Sequence, residues 1–245
     1  MNAETQAKIV SQEVQDFISD NEGQDEASLL LKHKELFGIS FILIAQQLVG
    51  RRKAKYKLPT WFQTKGIVYP PSINIEQSSS EATAQYKCRI IADAIRNKNN
   101  VADLTAGFGV DSFFFSRFFK EVHCVEPYGE LLDITKHNNA IQQATNIQYY
   151  QQKAEEFLDT IKLKFDLIYI DPSRRNEDKK KLFRLVDTTP NVVALQSILF
   201  ERTDFILIKA SPLLDLQQGL LEIKQVAQVF VVSRSGERRV GKECA

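Results

Sequence analysis

The stretch Val101-Ala-Asp-Leu-Thr-Ala-Gly-Phe-Gly-Val-Asp-Ser112 decides how this chain is read. A short apolar run delivers a carboxylate, Asp103, with Thr105 close behind it. Gly107 and Gly109 follow, and the residues after them have helical spacing. Strand, tight glycine turn and helix make the opening unit of a nucleotide-type ligand site. The glycines let the backbone approach a ligand, and the helix start points free N–H groups at it. A dinucleotide fingerprint wants a third glycine where this chain has Ser112. Asp103 also disfavours a pyrophosphate and favours a ligand carrying positive charge. The bland alternative is a turn that needs glycine for geometry alone.

From residue 100 onward strands alternate with helices. Strand-like runs lie at 101–104, 122–125, 147–150, 167–170, 205–208 and 229–232. Helical patterns fill 128–144, 154–161, 192–200 and 212–226. This alternation predicts a parallel sheet covered on both faces. The second strand ends at Glu126, 19 residues past Gly107, close to the offset at which an acid reaches ribose hydroxyls. A carboxylate suits that task because it accepts two hydroxyl hydrogen bonds at once. The fourth strand delivers Asp171-Pro172-Ser173-Arg174-Arg175 at its carboxyl end, where open α/β sheets bind ligands. Arg174 and Arg175 could hold a phosphate by bidentate contact; an ordinary strand exit with surface arginines is the alternative.

Residues 1–52 read as helical, with Ile9, Val10, Val14, Phe17 and Ile18 on one stripe; a strand is also compatible with the Ile-rich piece at 41–49. The run Arg51-Arg-Lys-Ala-Lys-Tyr-Lys57 is basic except at Ala54 and Tyr56, and could contact nucleic-acid phosphate or form a solvated face. Leu58-Pro-Thr-Trp61 breaks the helix. Residues 78–95 form another helix. Ser78 and Glu81 match a capping box, and Ile90, Ile91, Ala94 and Ile95 form its apolar face.

The 245 residues, 43% apolar and 26% charged, can bury a substantial core, and a net charge of +1 gives no global attraction to nucleic acid. Cys88, Cys124 and Cys244 are far apart, which fits a reducing, cytoplasmic setting, and no signal peptide or membrane-length apolar run is present. His33, His123 and His137 show no metal-binding spacing, so no metal is expected. Nothing in the sequence sets an oligomeric state.

Together, several phrases resemble one family. They are Gly50-Arg-Arg-Lys-Ala-Lys55, Lys57-Leu-Pro-Thr-Trp61, Glu76-Gln-Ser-Ser-Ser-Glu81, Asp103-Leu-Thr-Ala-Gly-Phe-Gly-Val-Asp-Ser112, Asp171-Pro-Ser-Arg-Arg175 and Lys209-Ala-Ser-Pro-Leu-Leu-Asp215. They are similar to class I S-adenosylmethionine (SAM)-dependent methyltransferases, and more closely to bacterial methyltransferases with a C-terminal THUMP-like domain, relatives of trimethylguanosine synthase. The resemblance implies a Rossmann-like α/β sheet with a small helical N-terminal domain, SAM as cofactor and RNA as substrate. It implies that Asp103, Thr105, Gly107 and Gly109 surround the methionine part of the cofactor, that Glu126 takes the ribose, and that Ala154 or Glu155 meets the adenine. It places Asp171, Pro172, Ser173 and Arg174 in the catalytic loop, with Asp171 also beside the cofactor. In amino-group methyltransferases that loop reads Asp/Asn-Pro-Pro-aromatic. Here Ser173 and Arg174 replace its last two residues, so the stacking platform for a base is missing.

The expected domains are a helical segment over 1–58, a linker and cofactor-covering segment over 59–84, a methyltransferase domain over 85–233, and a tail over 234–245 that looks non-native. No seventh strand follows 229–232, so the sixth strand is expected to expose its edge. Competing functions are a non-catalytic SAM- or RNA-binding module, small-molecule methylation, and an NAD-dependent oxidoreductase, the last disfavoured by Ser112 and Asp103.

Overall fold

The computed structural model describes residues 3–174, 184–211, 214–233 and 236–237. Five parallel strands form the central sheet: β1 (Asn100–Asp103), β2 (Glu121–Val125), β3 (Ile147–Tyr150), β4 (Leu167–Ile170) and β5 (Ile206–Ile208). Their spatial order is β3-β2-β1-β4-β5. Asp103, the last residue of β1, sits beside Cys124 of β2 and Tyr169 of β4. The chain runs outward from β1 to β3 and then returns to the other side of β1. The order therefore reverses between β1 and β4, which opens a crevice at the strands' carboxyl ends. Every residue of β4 is buried, as a strand covered on both faces requires.

Among the described residues seven helices lie before the sheet: α1 (Ala3–Ile9), α2 (Gln12–Asp20), α3 (Glu26–Lys32), α4 (Phe41–Lys57), α5 (Pro59–Gln63), α6 (Ser72–Gln77) and α7 (Glu81–Ala94). Five follow or intervene: α8 (Val110–Phe115), α9 (Gly129–Ile141), α10 (Ala154–Thr160), α11 (Val192–Arg202) and α12 (Leu216–Glu222). One apolar core joins the N-terminal helices to one sheet face through Ile44, Trp61, Phe113 and Tyr169; a second packs Phe157, Leu158, Val192 and Leu199 on the other.

The Ile-rich piece is helical. Phe41, Ile44, Ala45 and Leu48 recur every three or four residues and are buried on one side of α4. The first stripe is divided at Val10 and Ser11 into α1 and α2. Trp61 is fully buried against Phe108, Phe113 and Phe114, so it anchors packing and offers no surface for stacking. Gly50 is needed because a Cβ there would lie 2.3 Å from the Tyr69 Cβ.

The cations of the basic run are paired within the chain. Arg51 pairs with Glu22, Arg52 with Glu26, Lys53 with Glu76 and Lys55 with Glu22. Lys57 Nζ donates to the carbonyls of Ile75 and Glu76. These cations tie α4 to its neighbours and do not form a free phosphate-binding face.

Three expectations are corrected. Helix α7 is capped by Ser80, whose hydroxyl accepts the Thr83 N–H, and Ser78 instead ends α6. Glu81 reaches across to the backbone and hydroxyl of Thr60, so it satisfies the start of α5 and not of its own helix. The buried face of α7 runs through Ala84, Lys87, Cys88 and Ile91, while Ala94 is exposed. Helix α12 begins at Leu216, where the Asp215 carboxylate accepts the N–H groups of Gln217 and Gln218; Pro212 lies outside the described residues.

The run at 229–232 does not join the sheet. Val232 and Ser233 instead pair antiparallel with Glu237 and Gly236 of the expected non-native tail. Val231 and Val232 are exposed, without the covered face that a sheet strand requires. The remainder of the tail lies outside the described residues. No helix among the described residues is long and apolar enough to cross a membrane.

Candidate active site

The glycine turn joins β1 to α8, and its two glycines serve different needs. Both have left-handed backbone, φ +54° at Gly107 and +75° at Gly109. A Cβ on Gly109 would lie 2.2 Å from Thr135 Cγ2 of α9, so this glycine permits helix packing. A Cβ on Gly107 would meet nothing within 4 Å, so the space beside it is open. Thr135 Oγ1 donates to the Gly107 carbonyl at 3.0 Å and fixes the turn from behind.

Glu126, at the exit of β2, accepts the N–H of Gly107 at 3.0 Å and of Tyr128 at 2.9 Å. The 19-residue spacing is thus a physical contact. Burial raises the Glu126 carboxyl above its ordinary range, and the two N–H donors oppose the rise. Each oxygen keeps further accepting capacity for a ligand hydroxyl.

Asp103 is fully buried. It accepts the Thr105 N–H at 3.2 Å and the Ser112 hydroxyl at 2.7 Å. Ser112 therefore supplies a hydroxyl donor at the position where a dinucleotide fold has glycine. Burial first, and the neighbouring Asp111 second, push the Asp103 carboxyl up to about 7.

Thr105 links the turn to the second candidate loop: its Oγ1 accepts the Asp171 N–H at 2.7 Å. The Asp171 carboxylate lies 2.5 Å from Lys209 Nζ, which projects from the end of β5. Burial raises Asp171, and Lys209 opposes it. Pro172 is partly buried and Ser173 exposed. Ser173 and Arg174 pair antiparallel with Thr189 and Thr188. The Arg174 side chain and Arg175 lie outside the described residues.

At one end of the sheet Asp103, Thr105 and Asp171 are thus linked by hydrogen bonds, and Gly107 and Glu126 by a separate one, with Gly109 closing the turn between them. Ala154, buried, and Glu155, partly buried, open α10 at the same edge. Among the described residues neither is hydrogen-bonded to the turn. The helix start is held by Glu156, which accepts the Lys153 N–H at 3.2 Å.

The sequence reading missed a buried cluster beside Asp103. Lys87 Nζ donates to Ser79 Oγ at 2.8 Å and Tyr169 Oη at 2.6 Å, and pairs with Asp111 Oδ1. Asp111 Oδ2 accepts the hydroxyls of Ser79 at 2.8 Å and Tyr169 at 2.9 Å. The available signal was a lysine within the apolar stripe of α7. It also missed Lys209 as the partner of Asp171. Among the described residues no group of His, Cys, Asp and Glu is arranged to hold a metal.

No protein-family profile matches the chain. A crystal structure of a candidate methyltransferase from Porphyromonas gingivalis W83 superposes with a TM-score of 0.73 and 25% identity, covering 88% of this chain and 52% of that protein. An uncharacterized RNA methyltransferase of Mycoplasma mobile is 22% identical over 147 residues, 60% of this chain and 40% of that protein. The chain therefore spans about half or less of the length of these two proteins. Sheet order, covering helices and similarity agree: the chain has the Rossmann-like class I SAM-dependent methyltransferase fold with helices packed before the sheet.

Proposed function

We propose that this chain binds SAM at the glycine turn and transfers its methyl group to RNA. The observation that carries the reading is the Gly107 turn, open where a Cβ would be and flanked by the carboxylates Asp103 and Glu126. These residues fit the cofactor. Glu126 would accept ribose hydroxyls, and Asp103 would face the positively charged methionine end. Ala154 and Glu155 would border the adenine. Bound there, SAM supplies an electrophilic methyl group.

The chain's own contribution is alignment and charge. Thr105 fixes the backbone of Asp171, and Lys209 fixes its carboxylate. Asp171 would orient the attacking nucleophile by accepting its hydrogen, with Pro172 and Ser173 shaping the approach; positioning of this kind accounts for much of the barrier reduction in group transfer. Arg174 and Arg175 would hold a phosphate of the substrate. With the run at 51–57 internally paired, the RNA assignment rests on this loop, on the resemblance of the quoted phrases to the THUMP-like-domain methyltransferases, and on the similarity to a protein described as an RNA methyltransferase.

Incubation with methyl-labelled SAM and total RNA tests the reading. Label in RNA from the wild type and its loss in D171A support it. A wild type that binds cofactor but labels nothing supports a non-catalytic SAM- or RNA-binding module, the second reading, favoured by the prior engagement of Asp171 with Lys209.

A further inference from the structure

The buried cluster gathers side chains from four elements: Ser79 between α6 and α7, Lys87 of α7, Asp111 of α8 and Tyr169 of β4. The Lys87 ammonium donates to Ser79 and Tyr169 and is ion-paired with Asp111 Oδ1, and both hydroxyls donate onward to Asp111 Oδ2. Lys87 and Asp111 are 5% and 6% exposed, so no part of the cluster is free to bind a ligand directly. Its reach is toward Asp103. Asp111 adjoins Ser112, whose hydroxyl is bonded to Asp103 Oδ2. Two buried carboxylates so placed resist simultaneous ionisation unless a cation stands with them.

We propose that Lys87 is a positioning residue of the cofactor site: by neutralising Asp111 it lets Asp103 ionise and receive the cationic methionine end of the cofactor. The inference rests on the reading of the turn as a SAM site. Binding would then drive the Asp103 proton into solvent. Charged or titratable groups face Asp103 from the elements around it: Cys124 from β2, Asp111 from α8, Lys87 from α7 and the Tyr169 hydroxyl from β4. Lys87 is the one cation among them. Its influence favours the charged form of Asp103, while Asp111 opposes it.

The test is S-adenosylhomocysteine titration across pH on wild type, K87M, K87M/D111N and D111N, with the Asp103 carboxyl followed by carbon NMR. In K87M the Asp103 midpoint should rise by about one unit, and affinity at pH 7 should fall about fivefold, as the ionised fraction drops. K87M/D111N should regain most of the loss, which a purely structural role would not allow. D111N alone, the fallback if K87M does not fold, should lower the midpoint below wild type. An unmoved Asp103 midpoint in both K87M and D111N overturns the proposal. A wild type that fails to bind at all defeats instead the SAM reading beneath it.

Discussion

Asp171 and Lys209 meet as an ion pair, 2.5 Å apart, across the carboxyl ends of β4 and β5. The sequence separates them by 38 residues, and the parallel pairing of the two strands brings them together. Lys209 is thus a fixed counter-charge to the proposed catalytic carboxylate. Removing it should leave Asp171 harder to ionise. In K209M the acid limb of the pH–rate profile should move up by roughly one unit, with cofactor affinity changed little. A profile that keeps its midpoint would show that the pair does not control Asp171.

Glu126 ties its strand to the glycine turn through the Gly107 N–H. Charge-assisted hydrogen bonds of this type contribute about 1.5–3 kcal/mol each. E126A should weaken S-adenosylhomocysteine binding by at least about tenfold, and E126Q by less, measured by calorimetry. Equal affinity in all three would remove Glu126 from the site.

The two glycines should fail differently. G109A meets Thr135 Cγ2 and adopts a left-handed φ with a side chain, so it should lose stability by more than about 1 kcal/mol. G107A carries only the backbone cost, but its methyl enters the open space beside the turn. Urea unfolding should rank G109A as the less stable, while titration should find cofactor binding impaired in G107A even where it is folded.

Asp103 predicts a pH-dependent stability. Its folded carboxyl is pushed up to about 7 from an ordinary 3.8, so the folded state holds the proton more tightly. The associated stability is complete below pH 4 and is lost as pH rises to 7, on the order of 4 kcal/mol. In the absence of cofactor, D103N should therefore melt higher than wild type at pH 8 and show a flatter profile, while binding cofactor poorly. A D103N protein less stable than wild type at pH 8 would contradict the placement of this charge.

Much of this was readable from residues. Strand β4 follows from an apolar run bounded by Asp166 and Asp171, because a buried parallel strand leaves an unbroken apolar signature. The contact of Glu126 with the glycine turn is legible from spacing, since the offset measures one helix and one strand. The network at Lys87 is not, because a buried cation in a helix looks like any surface lysine until its partners from three other segments are known. The pairing of the basic run at 51–57 is illegible for the same reason: its acids, Glu22, Glu26 and Glu76, are distant in sequence. The run at 229–232 has strand composition, yet composition does not record whether a neighbouring strand is there to pair with it.

The central claim is that the Gly107 turn holds SAM. Calorimetric titration of this chain with S-adenosylhomocysteine and, separately, with NAD tests it most directly. The account predicts one saturable site for S-adenosylhomocysteine, weakened in E126A and G107A, and no binding of NAD. Saturable NAD binding without any for S-adenosylhomocysteine would contradict it.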